Sequence, residues 1–252
     1  MRFKAAVVQM DCVSGDRAAN AAKAMTLVRQ AASQGARLIV LPEMFNTGYL
    51  PHRAKELAET MRSATLGDLA ALAAKRDVWI AGAMLERGED GRFYDTAFLV
   101  SGVGVAATYR KVHLWDAEKA HLAPGSRIAQ WNCRLGTMGP LVCHDLEYPE
   151  QAAAYPPLGA RYLVAPSAFF TAELWERVTV DRARETGCYL LAANRVGGGE
   201  AEGGRRFCGR SRVVDPHGKV LVDAGDQEGV FLAEMDPEVV QNLRKARAGV
   251  PG

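Results

Sequence analysis

Three segments of the chain each place one reactive side chain at the end of an apolar, strand-like run. Glu43 follows LIVLP, Lys111 follows VAATYR, and Cys143 ends PLVC. A cysteine that attacks a carbonyl carbon needs a base for its proton, and it needs a cation or N–H donors for the negative charge that develops. A carboxylate, an ammonium group and a thiol meet those needs together.

The positions of these side chains suit a shared site, because open α/β sheets bind ligands at the carboxyl ends of their strands. Taken singly, each residue has an ordinary interpretation: Glu43 as a solvated carboxylate, Lys111 as a surface charge, Cys143 as a buried apolar residue. Only the combination predicts thiol chemistry.

The three segments resemble the nitrilase superfamily of carbon–nitrogen hydrolases. That family carries a Glu–Lys–Cys triad, and its motifs are similar to LPEMFNTGY, YRKVHLW and CHDLEYPE here. Further segments extend the resemblance over nearly the whole chain: AAVVQMD, DAEKAHLAPG, RARETGCYLLAANRVG and FCGRSRVVDPHGKVL.

The resemblance implies an α/β fold, a four-layer α-β-β-α sandwich with two mixed sheets and pseudo-two-fold symmetry. It implies that Cys143 is the nucleophile and that Glu43 is the general base and then the acid. Lys111 and the backbone N–H of His144 would stabilise the oxyanion, and Glu118 would position Lys111 or the substrate. Water, activated by a glutamate, would then hydrolyse a thioester acyl-enzyme.

The expected proton transfer has an energetic requirement. A reference cysteine has a pKa of about 8.5 and a reference glutamate one of about 4.3, so the transfer spans roughly 6 kcal/mol. We expect burial to raise the pKa of Glu43, and Lys111 and a nearby helix N-terminus to favour the thiolate.

Two departures from the family pattern bear on the substrate. His144-Asp145 follows the cysteine where nitrilases proper usually have Trp-Glu, which favours an amidase. Glu147-Tyr148 stands where many members have Arg-Phe, which puts an anion beside the site. The residues predicted to line the substrate pocket are His144, Tyr49, Trp115, Ser167 and Phe169.

We therefore expect a cofactor-free amidase, without a metal, that acts on a small primary amide. The principal alternative is an N-carbamoyl amine amidohydrolase, and a nitrilase or an acyltransferase is a weaker one. A Cys–His mechanism is disfavoured because adjacent residues of an extended strand, here Cys143 and His144, point to opposite faces. A binding module on the same scaffold is disfavoured because all three triad positions are filled.

The elements that must position these residues alternate along the chain. Strands are predicted at 4–10, 37–42, 78–85, 95–100, 105–114, 139–143, 161–166, 189–194, 210–215, 219–224 and 229–235. Helices are predicted at 16–33, 63–75, 149–158 and 172–186, and hairpins at 101–104, 216–219 and 224–229. GARLIVLP (35–42) and GARYLVAP (159–166) share a pattern, which suggests two related strand–helix–strand units.

Composition narrows the function classes further. The chain has 252 residues and a net charge of only +2, so it lacks the basic excess of a nucleic-acid-binding protein. It has no apolar stretch long enough for a membrane span, and because Gln9 and Asp11 interrupt its first apolar run we do not expect a signal peptide there. Five cysteines without a CxxC pair argue against disulfides and zinc. We expect one cytoplasmic domain over 1–252 that forms a homodimer or a higher homo-oligomer.

Overall fold

The computed structural model describes residues 1–199 and 202–249. Its strands are β1 (Phe3–Gln9), β2 (Ala36–Val40), β3 (Trp79–Arg87), β4 (Phe93–Ser101), β5 (Gly104–Arg110), β6 (Trp131–Cys133), β7 (Gly136–Pro140), β8 (Tyr162–Pro166), β9 (Tyr189–Ala193), β10 (Arg212–Val214), β11 (Val220–Asp223) and β12 (Gly229–Met235). Its α-helices are α1 (Arg17–Ser33), α2 (Ala54–Leu57), α3 (Ala64–Arg76), α4 (Pro149–Ala153), α5 (Ala172–Thr186) and α6 (Pro237–Arg247).

The strands form two six-stranded mixed sheets with the same plan. The first has the order β12-β1-β2-β3-β4-β5 and the second the order β11-β10-β9-β8-β7-β6. In each sheet the three central strands that follow one another in sequence are parallel, β1 to β3 and β7 to β9. The repeated segments 35–42 and 159–166 lie at the equivalent strands β2 and β8, so the predicted pseudo-two-fold relation of the mixed sheets is confirmed.

The sheets pack face to face, and helices cover their outer faces. Alternation along the strands produces this arrangement: Val7 and Leu38 face the second sheet, whereas Val8 and Ile39 pack with apolar residues of α1 and α3. Helix α5 packs on β9 and β10 of the second sheet. The layers are therefore helix, sheet, sheet and helix, which confirms the predicted sandwich.

Helices α1 and α5 begin and end, respectively, at residue types that commonly cap helices. The Asp16 side chain accepts a hydrogen bond from the backbone N–H of Ala19 and so caps α1. Helix α5 ends at Gly187, whose φ of +63° suits a residue without a β-carbon.

Two predictions about the elements need correction, and some elements were not predicted. The helix predicted at 149–158 ends at Ala153, and a 3₁₀ turn follows at Pro156–Leu158, because consecutive prolines cannot continue an α-helix. The hairpin predicted at 224–229 is wrong, since β11 lies in the second sheet and β12 pairs with β1 in the first. Strand β6 and helix α6 were not predicted, although Asp236-Pro237 is an ordinary helix start.

No helix within the two described ranges has both the length and the apolar character that crossing a bilayer requires. The longest, α1, has 17 residues and contains Arg17, Lys23 and Arg29. A membrane span needs about 20 mainly apolar residues.

Candidate active site

The turn after β2 holds Glu43. Its carboxylate is fully buried, and the next residue, Met44, has a left-handed φ of +47° that turns the chain sharply. The backbone N–H of Glu43 donates to the carbonyl of Ser167, which follows β8, over 3.3 Å. This bond fixes the glutamate turn to the second sheet.

Lys111 follows β5 directly and is the cation of the site. Its side chain is fully buried, and its Nζ donates to Glu43 Oε1 and to Glu118 Oε1, each at 2.7 Å. The same Nζ lies 3.5 Å from Asp95 Oδ2. We call these four residues, Glu43, Asp95, Lys111 and Glu118, the Lys111 cluster.

Two further donors hold Glu118. The Tyr49 hydroxyl donates to Oε1 at 2.7 Å, and the backbone N–H of Trp115 donates to Oε2 at 2.8 Å. Both oxygens of Glu118 are therefore occupied, which fixes the carboxylate that faces the lysine.

Cys143 begins a short 3₁₀ turn after β7. Its own φ is +48°, a conformation that is uncommon for a residue with a β-carbon and that is often found at functional sites. The residue is 8% exposed and lines a cavity of about 220 Å³. The turn thus places the thiol at the wall of a small cavity.

Burial sets the protonation of the thiol and the lysine. Burial raises the pKa of Cys143 well above its usual value and the Glu43 carboxylate raises it further, while Lys111 and the backbone N–H of Ala168 oppose the shift. Burial lowers the pKa of Lys111, but Glu118 and Glu43 outweigh it and hold that pKa well above its ordinary value. Lys111 thus favours the thiolate, as expected, but burial and Glu43 outweigh it and hold the pKa of Cys143 above its usual value.

Four of the predicted pocket residues line the cavity: Tyr49, Trp115, His144 and Phe169. Ser167 is not among the residues that line it. Its hydroxyl is buried and donates to the carbonyl of Ala165 over 3.2 Å. Ser167 touches the site through its own carbonyl, which accepts the Glu43 N–H.

The three carboxylates of the Lys111 cluster are close enough together to be considered as metal ligands. Glu43, Asp95 and Glu118 each place one oxygen within 4.8 Å of the other two, which is close enough to share a cation. The Lys111 ammonium already lies among them, 2.7 Å from two of the three carboxylates. The cluster therefore has an internal cation at the position a metal ion would take.

The carbon–nitrogen hydrolase family model matches residues 4–245, nearly the whole chain. The chain belongs to the carbon–nitrogen hydrolase family. The predicted membership of the nitrilase superfamily, and with it the prediction of a hydrolytic enzyme, is confirmed.

Relatives and solved structures agree with this family assignment. The chain is 31% identical to an (R)-stereoselective amidase of a Pseudomonas species over 246 residues, covering 96% of this chain and 88% of that one. It is 29% identical to omega-amidase NIT3 of Saccharomyces cerevisiae, covering 97% of this chain and 91% of that one. The crystal structure of Saccharomyces cerevisiae Nit3 superposes with a TM-score of 0.89, covering 97% and 94% of the two chains.

A further structure is an amidase from Nesterenkonia sp. AN1 with a glutamate-to-leucine substitution. It shares 27% identity and a TM-score of 0.85 with the hydrolase, covering 98% of this chain and 95% of that one. That structure shows the acetamide moiety of fluoroacetamide added covalently at the active-site cysteine.

Two parts of the site in this hydrolase were not predicted from the sequence. Asp95 stands at the start of the strand predicted at 95–100, and it lies two and four residues before Ala97 and Leu99, which face the core. Period-two alternation assigns Asp95 to the core face of the strand, and a charged residue at a core position could have indicated a functional role. Arg205 and Phe170 also line the cavity, but they come from irregular segments, which show no periodic pattern.

Proposed function

We propose that the hydrolase is an amidase that cleaves a small primary amide to a carboxylic acid and ammonia through a Cys143 thioester. The observation that carries the proposal is the thiol at the cavity wall beside the buried Lys111 cluster. The covalent adduct on the active-site cysteine of the Nesterenkonia amidase supports the same chemistry.

In the first step the Cys143 sulfur attacks the amide carbon. The S–C bond forms, the electron pair of the C=O bond moves to the oxygen, and Glu43 accepts the thiol proton. The oxyanion is stabilised by the Lys111 ammonium and the backbone N–H of His144. Because burial raises the pKa of the thiol and keeps it neutral, the proton leaves as the bond forms and not before it.

In the second step the C–N bond breaks as the oxyanion collapses. Glu43 returns its proton to the nitrogen, which leaves as ammonia, and a thioester remains on Cys143. Water then attacks the thioester, Glu43 accepts a water proton, the C–S bond breaks, and the sulfur recovers the proton. Glu118 stays bound to Lys111 and Tyr49 and holds the ammonium in place throughout.

The cavity favours a small acyl group with a polar far end. Trp115 and Phe170 present aromatic faces, and the guanidinium of Arg205 lies over both rings, 4.5 Å and 5.3 Å from their centroids. Glu147 also lines the cavity, but its carboxylate lies 2.9 Å from His144 Nδ1, so the Arg205 guanidinium is the group that suits a substrate carboxylate. A primary amide with a distal carboxylate is therefore the first candidate, and a carboxylate-bearing N-carbamoyl amine is the second.

The test is ammonia release over a panel of primary amides with and without a distal carboxylate, N-carbamoyl amines and nitriles. We expect release from amides to fall about 10⁴-fold or more in Cys143→Ala. Cys133→Ala, which changes a half-buried cysteine of β6, is the matched control and should keep the activity. Arg205→Ala should raise KM about tenfold for the carboxylate-bearing amide and leave the neutral amide little changed.

Mass measurement of the intact protein separates the remaining alternatives. An acyl adduct that is present in the wild type and absent in Cys143→Ala supports the thioester. An adduct that disappears only when an amine is added would indicate an acyltransferase. If no member of the panel releases ammonia and no adduct forms, the amidase proposal is wrong.

The proposal also covers the domain organisation, the compartment and the assembly of the protein. Residues 1–252 form one domain, which works in the cytoplasm as a homodimer or a higher homo-oligomer. The five free cysteines support a reducing compartment, and the match over residues 4–245 supports one domain. Sedimentation and limited proteolysis test the assembly and the domain count.

A further inference from the structure

Asp95 is a buried carboxyl group that the proposed reaction does not use. It lies on β4, and its side chain is fully buried. Within residues 1–199 and 202–249, neither of its oxygens has a hydrogen-bond partner. The nearest cation is Lys111, whose Nζ is 3.5 Å away and already donates to two other carboxylates.

The charges of the Lys111 cluster do not balance if every group is ionised. Three carboxylates would then face one ammonium, and one oxygen from each lies within 4.8 Å of the others. Among the described ion pairs, Lys111 is the one cation within 4.0 Å of Glu43, Asp95 and Glu118. Two surplus negative charges in a buried site are costly, so one group of such a cluster keeps its proton.

The donors around the cluster distinguish the three carboxylates. Glu118 accepts from Lys111, from Tyr49 and from the backbone N–H of Trp115. Glu43 accepts from Lys111 through Oε1, while its Oε2 is buried without a partner in the described chain. Asp95 has the fewest donors of the three.

We propose that Asp95 keeps its proton at neutral pH and donates it in a hydrogen bond to Glu43, which makes Asp95 a positioning residue for the general base. One added proton gives the Asp95 carboxyl a partner, gives Glu43 a second donor and removes one surplus charge. Glu43 is then oriented by two donors as the acceptor of the thiol proton.

The electrostatics of the site agree with this assignment. Burial raises the pKa of Asp95 well above its usual value, and the neighbouring Glu43 carboxylate raises it further, while Lys111 opposes the shift. Burial and the Glu43 carboxylate also raise the pKa of Glu118, and Lys111 opposes the shift there as well, but the hydrogen bonds from Lys111 and the Tyr49 hydroxyl add to that opposition. Because Glu118 has these donors and Asp95 has none among the described residues, the proposal places the proton on Asp95.

The protonation can be tested without any activity. A group whose pKa is raised in the folded state stabilises the fold below its unfolded pKa, and this contribution is lost as the pH rises towards the folded pKa. The amide side chain of Asp95→Asn does not titrate, so the Tm of this variant minus that of the wild type should become more positive from about pH 5 to about pH 8. A flat or falling difference means that Asp95 is ionised, and it overturns the proposal.

Asp145→Asn is the matched control for a buried aspartate. The Asp145 carboxylate accepts from the Tyr109 hydroxyl and from the backbone N–H groups of Val142 and His113. An amide would turn its own N–H₂ towards those donors, so we expect a lower Tm at every pH in that range. A positive shift that grows with pH in both variants would be a general charge effect and would contradict the proposal.

The positioning role rests on the proposed function and has a separate kinetic test. Asp95→Asn keeps a neutral donor, whereas Asp95→Leu has none, so we expect kcat/KM of the first to exceed that of the second by about tenfold or more, mainly through kcat. Equal values for the two variants would overturn the positioning role. If the amidase panel fails altogether, the Tm series still decides the protonation of Asp95.

Discussion

Two buried polar regions lie close to Cys143 in sequence or in space. They differ in how many hydrogen-bond donors each of their carboxylates has. In the Asp145 network, a single carboxylate accepts from the Tyr109 hydroxyl at 2.7 Å, from Val142 N–H at 2.9 Å and from His113 N–H at 2.9 Å. In the Lys111 cluster, three carboxylates share one ammonium, and Asp95 has no donor among the described residues.

The difference separates a structural use of buried charge from a chemical one. A carboxylate that is surrounded by donors is held firmly, and Asp145 accordingly fixes the turn that begins at Cys143. Carboxylates that lack donors exchange protons with their neighbours, because small changes in charge shift their pKa values strongly. In the proposed reaction, the donor-rich region positions the nucleophile and Glu43 of the donor-poor region supplies the acid–base chemistry.

Replacing the cation of the Lys111 cluster tests this comparison with the largest expected effect. Lys111→Met leaves the carboxylates unpaired and removes the oxyanion partner, so kcat/KM for the preferred amide should fall about 10³-fold. Lys119→Met changes an exposed lysine in the next segment and should keep the activity. If Lys111→Met folds and keeps its rate, the cluster has no role in the chemistry.

Breaking the Asp145 network should lower the free energy of unfolding. Asp145→Ala leaves buried donors of Tyr109, Val142 and His113 without an acceptor, and we expect a loss of about 3 kcal/mol in the free energy of unfolding. Urea denaturation measures it. Asp116→Ala, at an aspartate that is 88% exposed, should change the stability by less than about 0.5 kcal/mol. Equal losses of stability in the two variants would contradict the structural role of the Asp145 network.

The smallest effect concerns His113, which stacks on Tyr148 with ring centroids 3.6 Å apart. Its hydrogen bond to Asp145 raises its pKa, and burial opposes the shift. Protonated His113 therefore stabilises the fold below about pH 6.5, and this contribution is lost as the pH rises through the folded pKa.

We expect the stability difference between wild type and His113→Gln to shrink by up to about 1 kcal/mol between pH 6 and pH 8. Thermal denaturation across that range measures the difference. A constant difference would mean that His113 contributes through stacking and not through charge.

The sequence by itself determined most of the strands and the segments that carry the reactive residues. Parallel strands that are buried on both faces need continuous apolar runs, so the strands within LIVLP and YLVAP were readable, as were the reactive residues near the ends of such runs. The motifs around Glu43, Lys111 and Cys143 led to the family, and the family implied the sandwich. These features depend on neighbours along the chain, and for that reason a sequence shows them.

Only the tertiary structure decided which distant groups meet. Asp95 enters the Lys111 cluster because β4 and β5 pair antiparallel with Thr96 opposite Arg110, and the backbone N–H of Lys111 donates to the Asp95 carbonyl at 2.9 Å. Arg205 reaches the cavity from an irregular segment, and β12 leaves the hairpin expected with β11 to pair with β1. Strand pairing and sheet packing join residues far apart in sequence, and no local pattern records those contacts. The surplus of acidic groups around one lysine therefore exists only in the folded chain.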